Sequence, residues 1–247
     1  MNLDHTKKTY EKLGRDDPFY AVLTVPRFRH NRWDPQEFFL TGEHEIRDVL
    51  HYLSSVGLSF TRGKSLDFGC GVGRLSQALA DHFESVVGVD IAESMVEKAR
   101  ELNRHGARVQ YTANFVDDLR IFPDASFDFI YSSITLQHIP PNANRQYVAE
   151  FMRVLRPGGV ALFQVPNGKP YAPGSWREWV YRLRRQYIRR FWKFLRGKPP
   201  YEMHYIPRTE VERIVAAGGG VMIDVTHFGQ GGLDRNFRYC VSKRPAR

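Results

Sequence analysis

Cysteine is scarce in this 247-residue chain, and long apolar runs are absent. Its two cysteines, Cys70 and Cys240, form no Cys-x-x-Cys pair, so the sequence predicts neither a disulfide framework nor a zinc site. No apolar run approaches the roughly eighteen residues of a transmembrane helix. The first eight residues lack the apolar core of a signal peptide. We therefore expect a cytoplasmic protein without a metal site.

The most informative segment spans residues 64–74, where a short apolar run leads into glycines at 69, 71 and 73. A sharp turn from a buried strand into a helix favours glycine, because glycine adopts positive φ angles without strain. A second apolar run ends at Asp90, about twenty residues beyond the first glycine, where a βαβ unit places an acid that binds ribose hydroxyls. Arg74 stands where a dinucleotide fingerprint has its third glycine, and no Gly-Lys-Ser/Thr follows. Nicotinamide, flavin and phosphate-loop sites are therefore disfavoured.

This pattern, Asp-x-Gly-x-Gly-x-Gly with a strand-terminal Asp, resembles motifs I and II of class I S-adenosylmethionine-dependent methyltransferases. Four further segments resemble the succeeding family motifs in order and spacing: residues 117–119, 123–130, 136–139 and 153–159. The resemblance covers residues 60–166 and, more weakly, 205–243. It implies S-adenosylmethionine as the cofactor and a small-molecule type of enzyme. The residues alone leave open a doubly wound domain that binds another nucleotide.

Apolar patterning predicts strands at 64–68, 85–89, 107–112, 127–132 and 159–165, and helices at 73–83, 93–104 and 142–155. This alternation favours an α/β fold with a doubly wound, mostly parallel sheet. A helix at 207–217 and strands at 221–226 and 236–242 follow. By resemblance they complete a seven-stranded Rossmann-like sheet whose final strand is antiparallel.

Four regions are expected along the chain: an N-terminal helical cap (1–60), a cofactor-binding core (61–166), a basic helical insertion after the fifth strand (167–205) and the completion of the sheet (206–247). Within the cap, residues 1–33 show no clear period. Asp34, Pro35 and Glu37 form a helix-start signature, with Asp34 as N-cap. Gly42 is a candidate interruption of that helix.

Parallel strands gather their carboxyl ends at one edge of the sheet, so one pocket can collect the segments that follow them. The resemblance assigns Asp90 to the ribose hydroxyls and places Ile91 and Met95 near the adenine. Many relatives have Gly-Asp-Ala after the third strand, where this chain has 114–116. Either Asn114 or the backbone of Phe115 and Val116 replaces the adenine contact, or the Phe115 ring stacks on the base.

Several other residues are assigned to the cofactor site with alternatives left open. Asp67 either supports the glycine loop or the cofactor's amino group, or caps the next helix. Arg74 either meets the methionine carboxylate or forms a surface ion pair, since a helix N-terminus already binds anions through its backbone. The remaining assignments from the motifs are Gly69, Cys70, Gly71, Gly73, Ser132 and Gln137.

His138 is the leading candidate for a general base, because it follows the fourth strand and an imidazole titrates near neutral pH. The alternative is a structural histidine at a helix start, and His204 and Tyr205 are the next candidates. Residues 132–135 lack the Asp/Asn-Pro-Pro-Tyr/Phe motif of base N-methylation, and no paired acids suggest a magnesium-dependent enzyme. The expected reaction is O-methylation of a small molecule, sugar or lipid-linked intermediate. The alternatives are an RNA methyltransferase and a non-catalytic, membrane-associated cofactor-binding subunit.

A basic segment carries nearly all of the net charge of +9, because residues 177–198 hold nine basic side chains against one acidic side chain. At helical spacing, residues 176–196 place aromatic and aliphatic side chains on one face and a basic stripe on the other. One interpretation is a lid with a solvated basic face. Another is peripheral contact with an anionic membrane or a phosphorylated acceptor, and nucleic acid is less favoured, because the aromatic residues do not interleave with the charges. The sequence does not indicate the oligomeric state.

Neutralising the basic stripe should test the membrane interpretation. Replacing Arg182, Arg185, Arg189 and Lys193 by glutamine should weaken binding to anionic vesicles by about 1 kcal/mol per charge. Binding of the unaltered protein should fall with added salt. Co-sedimentation with anionic vesicles, neutral vesicles and RNA measures this. Equal sedimentation of both proteins, with unchanged acceptor kinetics, would leave the stripe as a solvated face.

Overall fold

The computed structural model of this protein describes residues 3–167, 176, 179, 203–227 and 236–245. Seven strands form one sheet within these residues: β1 (Lys64–Phe68), β2 (Ser85–Asp90), β3 (Val109–Ala113), β4 (Phe127–Ser132), β5 (Leu155–Pro166), β6 (Gly220–His227) and β7 (Asn236–Lys243). The described helices are α1 (Leu3–Asp16), α2 (Pro18–Val22), α3 (Pro35–Ser55), α4 (Arg74–Ala80), α5 (Glu93–Glu101), α6 (Pro141–Val154) and α7 (Arg208–Ala217).

The sheet has the order β3-β2-β1-β4-β5-β7-β6, in which β1 to β5 run parallel and β7 is antiparallel to both of its neighbours. This confirms the predicted seven-stranded, doubly wound arrangement. The strand order reverses between β1 and β4, and such a switch point opens a crevice beyond the carboxyl ends of the strands. The topology therefore places a ligand site at the ends of β1, β2 and β4.

Helices cover both faces of the sheet, which explains why the strands are nearly continuous apolar runs. On one face, α3, α4 and α5 pack over buried residues that include Ile46, Leu79 and Phe129. On the other face, α6 and α7 pack over a cluster that includes Phe151 and Phe163. A parallel sheet buried on both sides is a rigid support for loops at its edge.

Helix α3 begins as its sequence predicts and then runs on further. The Asp34 side chain accepts a hydrogen bond from the Glu37 backbone N–H at 2.9 Å, and Pro35 is the first helical residue. The helix continues through Gly42 without interruption, so the predicted break is wrong. A Cβ at Gly42 would overlap the backbone of Arg74, so glycine here permits the close approach of α3 and α4.

The N-terminal segment forms helices although its sequence shows no clear period. Helix α1 is fastened to α5, whose own N-cap, Ala92, has no side-chain acceptor. The Glu11 carboxylate accepts the N–H groups of Glu93 at 2.6 Å and Ser94 at 3.3 Å. Helix N-termini leave such donors unpaired and favour a negative charge. One carboxylate thus caps α5 and holds α1 across the edge of the sheet.

The predicted basic helix at 176–196 lies outside the described residues, apart from Trp176 and Trp179, whose side chains are exposed. Its role stays a prediction. In the described part of the chain, no helix combines the length and the apolar character that crossing a membrane requires.

Candidate active site

A cleft opens beyond the carboxyl ends of β1, β2 and β4. It contains about 820 Å³ of space free of atoms, part of it open to solvent. Its walls come from the glycine loop, from the segments after β2, β3 and β4, and from the N-terminal helices. The lining residues are Leu3, Thr6, Tyr10, Ala21, Val22, Phe68, Gly69, Gly71, Val89, Asp90, Ile91, Met95, Asn114, Ser133, Ile134, Thr135, His138, Ile139 and Tyr147.

The glycine loop forms the floor of the cleft. Gly69 and Gly71 have φ angles of 82° and 52°, which disfavour other residues. The Gly69 N–H donates to the Val89 carbonyl at 2.7 Å, tying the loop to β2. A Cβ at Gly69 would overlap the Thr135 side chain, and one at Gly71 would come within 2.5 Å of Val22. The loop is therefore packed between the segment after β4 and helix α2.

Asp90 ends β2 at the edge of the cleft, and both of its carboxylate oxygens are held by the backbone. Oδ2 accepts the Gly71 N–H and Oδ1 accepts the Ala92 N–H, each at 2.9 Å. Burial raises the pKa of Asp90 above its ordinary value, although these hydrogen bonds act in the opposite direction. An ionised carboxylate has about four acceptor positions. Because the Ile91 N–H also acts on this carboxylate, the carboxylate retains capacity for about one further donor.

Asp67 lies beneath the glycine loop and does not line the cleft. It is fully buried, Oδ2 accepts the Ser76 hydroxyl at 2.6 Å, and Oδ1 has no hydrogen-bond partner among the described residues. Burial raises its pKa to about 7. Asp67 thus joins β1 to α4, and its predicted roles toward the glycine loop and the cofactor's amino group stay predictions.

Arg74 occupies neither of the two predicted positions. It is 3% exposed, so it forms no surface pair, and it points away from the cleft toward α3. Its guanidinium donates to Glu45 at 2.7 Å, and Tyr131 donates to the same carboxylate at 2.8 Å. Burial acts to raise the pKa of Glu45, but Arg74 and Tyr131 bring it below its ordinary value. Because α3 packs directly on α4, Arg74 forms an ion pair with Glu45, which lies 29 residues earlier in the chain.

The loop after β3 brings one of its three candidate residues to the cleft. Asn114 is buried and lines it, and its amide donates to the carbonyls of Val116 at 3.2 Å and Asp118 at 2.7 Å. Phe115 and Val116 are exposed and do not line the cleft. The Lys7 ammonium lies 3.6 Å from the centroid of the Phe115 ring. In this structure the ring packs against Lys7 of α1, and its stacking on the adenine base stays a prediction.

Four other assigned residues lie near the cleft without lining it. The Ser132 hydroxyl donates to the Phe68 carbonyl at 3.0 Å, joining β4 to β1. The Cys70 side chain is buried in the core under α3 and α4. Gly73 precedes α4 with a φ of 84°, and Gln137 Nε2 lies 3.0 Å from His138 Nε2. By contrast, Ile91 and Met95 line the cleft, and their contact with the adenine stays a prediction.

His138 alone of the three candidate catalytic residues lines the cleft. Its ring centroid lies 5.8 Å from that of Tyr10, and its carbonyl accepts the Thr6 hydroxyl at 3.4 Å. The His204 N–H donates to the Gln137 carbonyl at 2.7 Å, which fastens its segment beside this turn. Tyr205 is 38% exposed and lies outside the cleft lining. Helix α1 therefore packs directly over the candidate base.

The sequence did not reveal the residues that cover the cleft. Leu3, Thr6 and Tyr10 of α1 and Val22 of α2 lie over the glycine loop and His138. The three- and four-residue spacing of the α1 residues is a helical signal, which could have indicated one face of a helix. Nothing local indicates that this face covers the loop some sixty residues further along the chain.

Residues 66–159 match a family model described as a methyltransferase domain. The ubiquinone biosynthesis O-methyltransferase of Bordetella avium is 31% identical over 141 residues, 56% of this chain and 57% of that protein. A probable S-adenosylmethionine-dependent methyltransferase of Mycolicibacterium smegmatis is 36% identical over 109 residues, 44% of this chain and 40% of that protein. Magnesium protoporphyrin IX methyltransferase from Synechocystis, solved with bound SAH, has a TM-score of 0.62 at 15% identity, covering 98% of this chain and 100% of that chain.

Residues 66–159 therefore match a methyltransferase domain, and the sheet around them has the fold of the class I S-adenosylmethionine-dependent methyltransferases. The chain spans a little over half the length of the Bordetella relative. The match to the Synechocystis structure shows the shared fold. The domain match and the fold make S-adenosylmethionine the expected ligand of the cleft.

The residues of the cleft fit S-adenosylmethionine. The ribose of the cofactor presents two neighbouring hydroxyl groups, and Asp90, which lines the cleft, is a hydrogen-bond acceptor for them. The glycine loop presents backbone without side chains on the cleft floor, and Ile91 and Met95 supply apolar surface beside Asp90. Among the described residues, no cluster of His, Cys, Asp or Glu side chains is arranged to bind a metal ion.

Removing the Asp90 carboxylate should weaken cofactor binding. Asp90→Ala should lower the affinity for S-adenosylmethionine and its demethylated product by roughly 1.5–3 kcal/mol, the range of charge-assisted hydrogen bonds. Asp81→Ala, an exposed acid at the end of α4, is the matched control. Titration calorimetry measures both variants. Unchanged affinity in Asp90→Ala would overturn the ribose assignment.

The raised pKa of Asp67 should make stability depend on pH. Because the folded state holds this proton up to about pH 7 and the unfolded chain releases it near pH 4, the Asp67 contribution should decrease as pH rises from 4 to 7. Asp67→Asn removes this dependence. The difference in unfolding free energy between the two proteins should shift by more than about 1 kcal/mol over this range. Urea denaturation at several pH values measures it, and parallel curves would contradict the raised pKa.

Proposed function

We propose that this methyltransferase transfers the methyl group of S-adenosylmethionine to a hydroxyl oxygen of a small or lipid-linked acceptor. The observation that carries the proposal is that one cleft holds the glycine loop and Asp90 together with His138. The printed name of the Bordetella relative, an O-methyltransferase, supports oxygen as the acceptor atom. Residues 132–135 lack the motif of base N-methylation, which also favours oxygen.

The lining favours an acceptor that is partly apolar. Leu3, Val22, Phe68, Ile139 and Tyr147 contribute hydrophobic surface around a small number of polar groups. Small-molecule sites commonly have this composition, in which apolar walls provide contact area and the few polar groups set orientation. A highly charged acceptor would lose its hydration here without gaining enough partners.

The bound cofactor would supply a methyl group already activated on a positively charged sulfur, so the protein has three remaining tasks. Asp90 and the glycine loop hold one side of the cleft in place. Helices α1 and α2 cover the other side and exclude water, which positions the acceptor for an in-line reaction. His138 accepts the proton of the acceptor hydroxyl, which makes that oxygen a stronger nucleophile.

A lipid-linked acceptor would require access to a membrane surface. The basic segment at 176–196 favours such access, and the argument for it comes from the amino-acid sequence. The vesicle experiment described above tests it. Incubation with methyl-labelled S-adenosylmethionine and fractionated extract, followed by identification of the labelled product, tests the proposed reaction itself. Label recovered only on nitrogen or carbon would overturn O-methylation.

Removing the candidate base should reduce turnover without affecting cofactor affinity. His138→Ala should lower kcat by about 10²–10⁴-fold, the usual loss for a general base. His51→Ala, an exposed histidine on α3, is the matched control. Steady-state kinetics with the identified acceptor and calorimetry with the cofactor measure the two quantities.

A structural His138 would give a different result. Its removal would lower thermal stability and cofactor affinity together, while turnover per folded molecule stayed normal. That outcome would contradict the assignment of His138 as a base.

A further inference from the structure

Ile134 has a backbone conformation that is unfavourable for its residue type. Its φ angle is 60°, in the left-handed region. The other described non-glycine residues with positive φ are His30, Asn31 and Ala125, so Ile134 is the β-branched member of the group. β-Branched residues are strongly disfavoured there, and strained backbone is concentrated at functional sites.

A buried glutamine holds Ile134 in this conformation. Gln164 lies on β5 and is 6% exposed, although the strand around it is apolar. Its Oε1 accepts the Ile134 N–H at 3.2 Å, and its Nε2 donates to the Ser133 hydroxyl at 3.4 Å. A buried amide is costly unless it is hydrogen-bonded. Both ends of this amide bind the turn after β4.

The strained turn joins the two functional parts of the cleft. Thr135, immediately after Ile134, packs on Gly69 of the glycine loop. His138 follows one short helical turn later. The Ile134 side chain lines the cleft and is still 38% exposed. An apolar side chain in the same cleft as the glycine loop and the candidate base is therefore still partly exposed.

We propose that Ile134 is a specificity-determining residue for the methyl transfer proposed above, on which this inference rests. Its side chain forms an apolar wall against which the acceptor packs, so the acceptor carries an apolar ring or alkyl group near its hydroxyl. Gln164 is the positioning residue, because it maintains the backbone conformation that directs Ile134 into the cleft. A relaxed backbone at Ile134 would turn its side chain out of the cleft, so the strained φ angle is needed for the apolar contact.

Stability measurements test the strain without any acceptor. At an ordinary position a protein with glycine is less stable than the same protein with alanine. At a positive φ angle the order reverses, because glycine adopts that conformation without strain. Both Ile134→Gly and Ile134→Ala lose the side chain beyond Cβ. The difference in stability between them therefore measures the backbone strain at position 134. Ile134→Gly should melt about 2–4 °C above Ile134→Ala. The reverse order would overturn the strained conformation.

Binding measurements test the wall without turnover. The probe is 4-hexylresorcinol, an apolar ring with hydroxyl groups, added to the protein saturated with the demethylated cofactor. Ile134→Ala should bind it about fivefold more weakly or worse, because buried apolar contact is lost. Gln164→Leu should weaken probe binding in the same direction, and neither variant should alter cofactor affinity. Ile121→Ala, an exposed apolar residue outside the cleft lining, is the matched control.

The outcomes separate this inference from the proposed function. Unchanged probe affinity in Ile134→Ala would overturn the wall, while methyl transfer by the unaltered protein would leave the proposed function standing. Weakened probe affinity, with no methyl transfer to any hydroxyl acceptor, would support the wall and overturn the proposed function. Failure of the unaltered protein to bind the probe would overturn the apolar acceptor class.

Discussion

The Asp90 carboxylate joins the parts of this protein on which its cleft depends. One oxygen accepts the Gly71 N–H of the glycine loop and the other accepts the Ala92 N–H at the start of α5. The acid itself ends a strand buried on both faces, so it is held on a rigid support. The glycine loop and the start of α5 are thereby fixed relative to one another at the edge of the cleft that Asp90 lines.

Two further carboxylates extend this organisation to the N-terminal helices. Glu11 caps α5 and so holds α1 over the cleft. The Glu45 carboxylate accepts hydrogen bonds from Arg74 and Tyr131, which connects α3 to α4 and to β4. Each acid lies far in sequence from the donors it binds. Charge-assisted hydrogen bonds of this kind are strong and directional, so they specify how the cap sits on the sheet.

The predictable part of the fold is the part encoded by local pattern. The strands at 64–68 and 127–132 were predicted at their observed bounds, because short apolar runs bounded by turn residues indicate buried strands. The β5 strand begins at Leu155, four residues earlier than predicted, where the chain passes from α6 directly into strand. The role of Gly42 was mistaken, because a glycine that permits close helix packing looks the same in sequence as one that ends a helix.

The sequence by itself determined the sheet, the glycine loop and the position of Asp90, since a buried parallel strand, a positive φ angle and a strand-terminal acid each leave a signature within a few residues. Only the tertiary structure decided that α1 covers His138, that Arg74 binds Glu45 and that Gln164 holds Ile134 in a strained turn. These contacts join residues 29 to 132 positions apart. Such pairs meet only when helices pack on the sheet, and no local pattern records which surfaces will face one another.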